Sequence, residues 1–457
     1  MSYTPYKIHK LVGKLGEFMG TSLKTDGSSR KNVLITSLIF MGLGHIVHFK
    51  QYVKGIFYAL IEVVFLIFSP TIFYKIRDLI MLGKVREGYG EGVRAYEHFM
   101  LIEGMITLVI IGIFAAVYYI SVKGALNTYR EFCYEGKLKT NRESLSGIMG
   151  KSFPIFGLAP TVVLIAFFVV VPLLFSACVA FTEFSIPDHY PPKNPINWIG
   201  GDNFVAMFGG NATWTTAFGR VAVWTVIWGV LSTLTSYFAG LIVAVILNES
   251  KMKLTPVFRV IFILPYAVPS VISMLVWKNM LNGEFGTINK MLKLIGVEGM
   301  NWLTDKSILP NVMCLVVNLW AGFPYFMLLM MGTMTAISSD VFEAAKIDGA
   351  NKWQIFKSIT LPLVIYQTLP LMIMSFTFNI NNFGAVYFLT GGQPTLEDTT
   401  RTFAGGTDIL VTWIYKLTVD QMRYNYGAVL AILVFLVLAP FAIFNFMRTK
   451  SFKEGEL

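Results

Sequence analysis

Nine long apolar runs constrain this chain more than any other feature: 33–49, 52–74, 102–122, 154–182, 217–247, 257–281, 311–336, 364–390 and 427–447. A helix needs about 20 mostly apolar residues to cross the hydrocarbon core, and it closes its backbone hydrogen bonds within one segment. With 55% hydrophobic and 14% charged residues over 457 positions, and a mean hydropathy of +0.61, the chain has more apolar surface than a water-soluble core would bury. The runs are long and continuous, whereas a transmembrane β-barrel shows short alternating segments. The first run is the weakest, because Gly42, Gly44, His45 and His48 interrupt it and only Lys50 and Gln51 part it from the next. A re-entrant or interfacial hairpin arm is open for it. The expected fold is an all-α polytopic membrane protein of about eight transmembrane helices.

Basic residues then orient the spans. The net charge of +10 marks cytoplasmic loops in a polytopic protein better than a nucleic-acid partner. Lys123, Arg130, Lys137, Lys139, Arg142 and Lys151 place 123–153 inside, and Arg448, Lys450 and Lys453 place the C-terminus there too. Lys7, Lys10, Lys14, Lys24, Arg30 and Lys31 keep the N-terminus inside, and no compact apolar segment with a cleavage site follows them. Loops 248–256 and 337–363 then fall inside, and 183–216, 282–310 and 391–426 outside. Segment 75–101 conflicts with this alternation: it holds Lys75, Arg77, Lys84, Arg86 and Arg94, yet eight spans put it outside. The chain divides into an N-terminal membrane anchor, 1–150, and a six-span core, 151–457. Cys133, Cys178 and Cys314 are too widely spaced to suggest a disulfide framework or a metal site.

The inside loop 338–362 carries the most specific pattern. Asp340 suits an N-cap with Glu343 three residues on, and Gly349 suits the left-handed turn that ends a helix. A second short run follows, with Trp353, Ile355, Phe356 and Ile359 apolar, and Leu361-Pro362 is expected to stop it. Pattern alone leaves open a hairpin that only covers the membrane surface. Helices this short are marginal in water, so the pair needs something to pack on. Glu343-Ala344-Ala345, Gly349, Ile359 and Leu361-Pro362 resemble the EAA signature of binding-protein-dependent ABC importer permeases. The resemblance implies a type I permease core, with Glu343, Ala344, Ala345, Asp348 and Gly349 coupling it to a cytoplasmic ATPase.

Two of the spans are unusually polar or irregular. Ser375, Phe378, Asn379 and Asn382 recur at i, i+3, i+4 and i+7, one helical face. Such groups in a membrane either bond between helices or line a wet cavity. Amides beside an aromatic ring suit a carbohydrate, and interhelical bonding stays open. In Asn318-Leu319-Trp320-Ala321-Gly322-Phe323-Pro324-Tyr325, Gly322 and Pro324 predict a backbone irregularity mid-span. These runs, with Leu389-Thr390-Gly391-Gly392-Gln393-Pro394 and Thr402 to Val411, resemble the larger, MalF-type permease subunit of maltose and maltodextrin importers over most of 151–457.

That likeness implies a sugar site at Ala321, Gly322, Tyr325, Ser375, Phe378, Asn379 and Asn382. Ala321 stands where the family has a bulkier apolar contact, which leaves the preferred chain length open. Gln393 replaces a glycine of the usual Gly-Gly-Gly-Pro sequence, and loop 183–216 lacks the folded domain that some members insert there. The implied partners are a second, MalG-like permease subunit, two copies of a cytoplasmic ABC ATPase, an extracellular sugar-binding protein, membrane lipid and an oligosaccharide. No cofactor is expected on this chain, ATP and Mg belonging to the partner ATPase. Gly150-Lys151-Ser152 has Leu145 where a phosphate-binding loop needs glycine, so ATP hydrolysis by this chain is not expected.

Other readings stay weaker. His45 and His48 have a spacing found in metal sites but no further ligand nearby. Glu62 lies inside an apolar run, where a carboxylate is a functional candidate by default, although one alone makes no proton relay. An ion-coupled secondary transporter would place charges within the spans and need no ATPase-docking loop. A lipid-carrier glycosyltransferase would need clustered acids or histidines at the membrane face. A permease for another oligosaccharide is the nearest alternative.

Overall fold

The computed structural model describes residues 30–84, 96–135, 153–191, 193–249 and 254–448. The basic positions of 1–29, the 136–152 segment with Gly150-Lys151-Ser152, Lys251, Lys253 and the tail after Arg448 lie outside them. The described chain is helical, with isolated bridges only at Thr182–Trp198 and Ser185–His189. Among the described residues, seven helices are long and apolar enough to cross a membrane, and a bent pair makes up to eight. Contacts divide the chain into two compact units, one of residues 1–178 with 191–197 and one of 179–190 with 198–457.

In the first unit, α1 (Arg30–Ile39) and α2 (Leu43–Phe49) form a short hairpin, neither arm long enough to span. The 33–49 run is therefore not one continuous helix. Its turn is fixed by α3 (Tyr52–Met81), whose Glu62 accepts a hydrogen bond from the Met41 N–H. The long helix α4 (Glu97–Glu135) completes this packing, and its Tyr118 hydroxyl donates to Leu38 O at 2.7 Å. His45 is buried, with Nδ1 3.0 Å from Gln51 Oε1 and Nε2 3.3 Å from Ser121 O, while His48 Nε2 lies 3.0 Å from Thr36 Oγ1. Both rings are thus engaged in hydrogen bonds. Helices α5 (Phe153–Ile165) and α6 (Val171–Val179) are joined by a π-turn, and Cys178 Sγ sits 3.7 Å from Met105 Sδ of α4. Packing therefore groups 153–178 with the N-terminal helices, although the sequence division falls at 150.

The second unit is built around α8 (Ala212–Glu249), preceded by the short α7 (Asp202–Phe208). The run 257–281, expected as one span, is α9 (Thr255–Ala267) and α10 (Ser270–Met280), bent by 93°. Pro269, extended at φ −52 and ψ 127, breaks the run because proline disfavours helix at the residue before it. After α11 (Thr287–Leu294), α12 (Leu309–Thr335) runs unbroken through Pro324, against the expected irregularity. Close approach by α8 clasps that stretch: a Cβ at Gly240 would lie 2.6 Å from Phe326 Cβ and 2.7 Å from Met327 N.

Two apolar layers cross these helices. One joins Tyr237, Phe326, Met327, Met330 and Val364, the other Trp228, Cys314, Val317, Val386 and Leu389. Along α12, residues 318–325 lie between the layers, near mid-helix.

Past the turn at 348–351, α14 (Lys352–Ile355), a π-turn at Phe356–Thr360 and α15 (Leu361–Ile380) form one rod, α13 (Ser339–Ile347) preceding it. Pro362 does not stop the helix as expected. The widened turn, in which Leu361 N–H reaches Phe356 O, absorbs the ring's clash with the preceding turn. The span 364–390 is instead broken at Asn381–Asn382, and α16 (Phe383–Thr390) starts afresh. The chain continues through α17 (Thr399–Thr402), α18 (Leu410–Tyr415) and the last span, α19 (Tyr424–Arg448).

Candidate functional site

Between the two apolar layers the second unit forms a half-open cavity of about 740 Å³. All seven residues proposed for a sugar site line it: Ala321, Gly322 and Tyr325 from α12, Ser375, Phe378 and Asn379 from α15, and Asn382 from the break after it. Because the helix ends at Ile380, Asn382 joins the others by capping α16, its Oδ1 accepting from Ala385 N at 3.3 Å, and not by helical periodicity. Asn379 is both lining and interhelical bond: its Nδ2 donates to Thr233 Oγ1 at 3.0 Å, and its carbonyl accepts from Trp228 Nε1 at 2.9 Å. Phe378 is 67% exposed and Tyr325 37%, so both aromatic faces are presented for contact. None of the lining residues carries a charge.

The remaining lining was not anticipated. The 93° bend brings in Tyr266, Ser270 and Ser273, α8 contributes Ser236 and α12 contributes Asn318. Ser236 and Ser273 are buried, and their hydroxyls have no hydrogen-bond partner among the described residues. Buried polar groups are nearly always satisfied; these two oxygens are covered even though their residues border the cavity. Pro265 and Pro269, four apart in an apolar run, were the legible signal for the bend.

At the loop end of α12, Glu343, Ala344 and Ala345 lie within α13, Asp348 caps it and Gly349 follows. The N-cap is Ser338, whose Oγ accepts from Asp340 N at 3.3 Å; the expected cap, Asp340, sits in the first turn instead. Serine two residues earlier ends the extended segment, which leaves Asp340 to act on the helix dipole. Gly349 has φ +78, as expected, with its N–H on Lys346 O (3.1 Å) and Ala350 N–H on Ala345 O (3.0 Å), a Schellman closure. Asn351 and Gln354 then form a reciprocal capping box. None of α13 or α14 is buried in this chain, and Ile347 and Trp353 are 85% and 68% exposed. Both helices are closed by capping hydrogen bonds and stay largely exposed.

Residues 236–449 match the family described as Binding-protein-dependent transport system inner membrane component. The galactooligosaccharides transport system permease protein GanP of Bacillus subtilis (strain 168) is 34% identical over 428 residues, covering 93% of this chain and 99% of that one. The chain belongs to this permease family. The maltodextrin transport system permease protein MalC of Streptococcus pneumoniae serotype 4 is 31% identical over 426 residues, 91% of this chain and 95% of that one. In fold, the permease resembles the crystal structure of a bacterial ABC transporter that imports the acidic polysaccharide alginate. The TM-score is 0.54 at 22% identity, covering 66% of this chain and 96% of that one.

Within the permease, the motif at 402–411 serves the architecture of the loop beyond α16. Asp408, fully buried, accepts from Lys416 Nζ, Gly405 N (both 2.7 Å) and Thr412 Oγ1 (2.9 Å). Arg220 of α8 pairs with Asp398 at 2.8 Å and donates to Gly405 O at 2.7 Å. The same loop holds Gln393, whose carbonyl accepts from Thr407 Oγ1.

Proposed function

We propose that this permease passes a neutral oligosaccharide, of the maltodextrin or galacto-oligosaccharide class, through the central cavity, energised by an ATPase that grips the 338–362 loop. The observation that carries the reading is the convergence of amides, hydroxyls and two exposed aromatic faces on one uncharged cavity at mid-helix. Amides and hydroxyls exchange hydrogen bonds with sugar hydroxyls, and the rings pack on the apolar face of a pyranose. Ala321, Gly322, Tyr325, Ser375, Phe378, Asn379 and Asn382 are assigned that contact. An acidic polysaccharide would want cations there, and an ion-coupled carrier would want acids.

In this reading both termini and the 338–362 loop are cytoplasmic. A sugar-loaded external protein docks on the far side, ATP closes two partner ATPase copies, and α13 conveys that motion to the α14–α15 rod. The rod's 29 residues reach about 43 Å at 1.5 Å each, from the loop to Asn379. The cavity, shared with a second permease subunit, opens outward to take the sugar and returns inward after hydrolysis.

The test is ATP hydrolysis by the assembled complex, with its companion permease, ATPase and binding protein, over maltodextrins, galacto-oligosaccharides and oligouronates. Stimulation by a neutral series and not by uronates is expected. Stimulation by uronates alone would overturn the substrate class, and uptake that needs no ATPase would overturn the transport mechanism.

A further inference from the structure

A second cavity of about 570 Å³ lies at the ends of α10 and α16 remote from the central one, walled by the loop 282–304. We propose that it is a second saccharide subsite, holding the units of a long oligosaccharide that extend past the central cavity and so setting chain-length preference. The proposal rests on the carbohydrate reading above.

Its position is the first argument. Met274 of α10 borders the central cavity and Lys278 the second; Ala385 and Leu389 of α16 divide in the same way. Residues four apart share one helical face, so both cavities lie along the same faces of one helix pair, about 6 Å apart in axial rise.

The chemistry agrees. Amides of Asn301 and Gln393, the Thr304 hydroxyl and the opposite charges of Lys278 and Glu284 offer donors and acceptors together, the mixture that hydroxyl groups satisfy. Leu303 and Leu389, both buried, belong to the packed layer behind the cavity. No hydrogen bond or ion pair within the described residues engages the side chains of Lys278, Glu284, Asn301 or Thr304.

The loop is also shaped in advance. Buried Asn289 donates to Gly283 O (2.7 Å) and Met300 O (2.9 Å) and accepts from Met300 N and Trp302 Nε1, fixing both walls. Gly283 leaves room for Asn301: a Cβ there would lie 2.2 Å from Asn301 Oδ1.

The experiment compares uptake of trisaccharides and heptasaccharides by the complete transporter, at saturating binding protein, for wild type, Asn301→Ala and Lys278→Met. Both substituted side chains are exposed, and detergent-purified yield checks assembly. The long-to-short uptake ratio is expected to fall about three- to tenfold in either variant, the range for one or two lost hydrogen bonds, with trisaccharide uptake unchanged. An equal loss at both lengths would make the cavity a socket for the external binding protein and overturn the proposal, as would an unchanged ratio in both variants. Wild type that takes up neither sugar would instead remove the carbohydrate reading, and the subsite with it.

Discussion

Asn379 separates two roles that sequence alone left open. Its bond to Thr233 ties α15 to α8, while the residue also lines the cavity. Interhelical hydrogen bonds in membranes contribute only about 0.6 kcal/mol on average, too little to account for a large functional loss through stability. Asn379→Ala is therefore expected to lower the thermal midpoint of the purified complex slightly and sugar-stimulated ATP hydrolysis at least tenfold. Equal, small effects on both would make Asn379 a packing residue. Gly322 gives the steric counterpart. A Cβ there would stand 2.9 Å from Ser236 Oγ, so Gly322→Val should fill the cavity beside an unpartnered hydroxyl. Its expected signature is reduced sugar stimulation with basal hydrolysis retained, read in the same assay. Four of the seven predicted lining residues, Ser375, Phe378, Asn379 and Asn382, came from a polar stripe legible in the sequence, and Ala321, Gly322 and Tyr325 from the resemblance. Ser236 and Ser273 were not legible, because a lone serine in an apolar run has the same pattern whether it bonds back to its own helix or faces a cavity.

At the level of elements, prolines were the hardest residues to read. Pro269 breaks a run expected to be straight, Pro324 leaves its helix intact, and Pro362 lies just after a π-turn that keeps the rod continuous. The ring's local cost is the same at each position; neighbouring helices and upstream turn geometry decide the outcome, and neither is written in the local sequence. Gly349 was legible because its demand is local: a left-handed residue closing a two-turn helix. Any side chain at φ +78 costs about 1 kcal/mol, and proline would also remove the N–H bound to Lys346 O. Gly349→Pro is expected to leave the membrane-embedded complex at normal yield while sugar stimulation of ATP hydrolysis falls to near the basal rate. Normal stimulation in that variant would detach α13 from the coupling role.

Across the whole molecule, polar chemistry is distributed unequally between the two units. The second unit forms the uncharged cavity; the first buries Glu62 at the end of a hydrogen bond from Met41 N–H. A carboxylate within a membrane-spanning helix suggests proton coupling, but its partner here is the backbone turn between α1 and α2, which otherwise presents an unsatisfied donor. That makes Glu62 a positioning residue for the hairpin, and the two roles respond differently to substitution. Glu62→Gln retains an oxygen acceptor and cannot carry a proton, whereas Glu62→Leu removes the acceptor as well. Uptake per assembled complex should be unchanged in Glu62→Gln at any external pH, and Glu62→Leu should lower the amount of complex in the membrane while sparing turnover of what remains. Quantitative immunoblotting with radiolabelled sugar uptake measures both. Loss of uptake in Glu62→Gln at normal complex abundance would make the first unit part of the energising machinery, and the ATPase-driven scheme would then lack a coupled step.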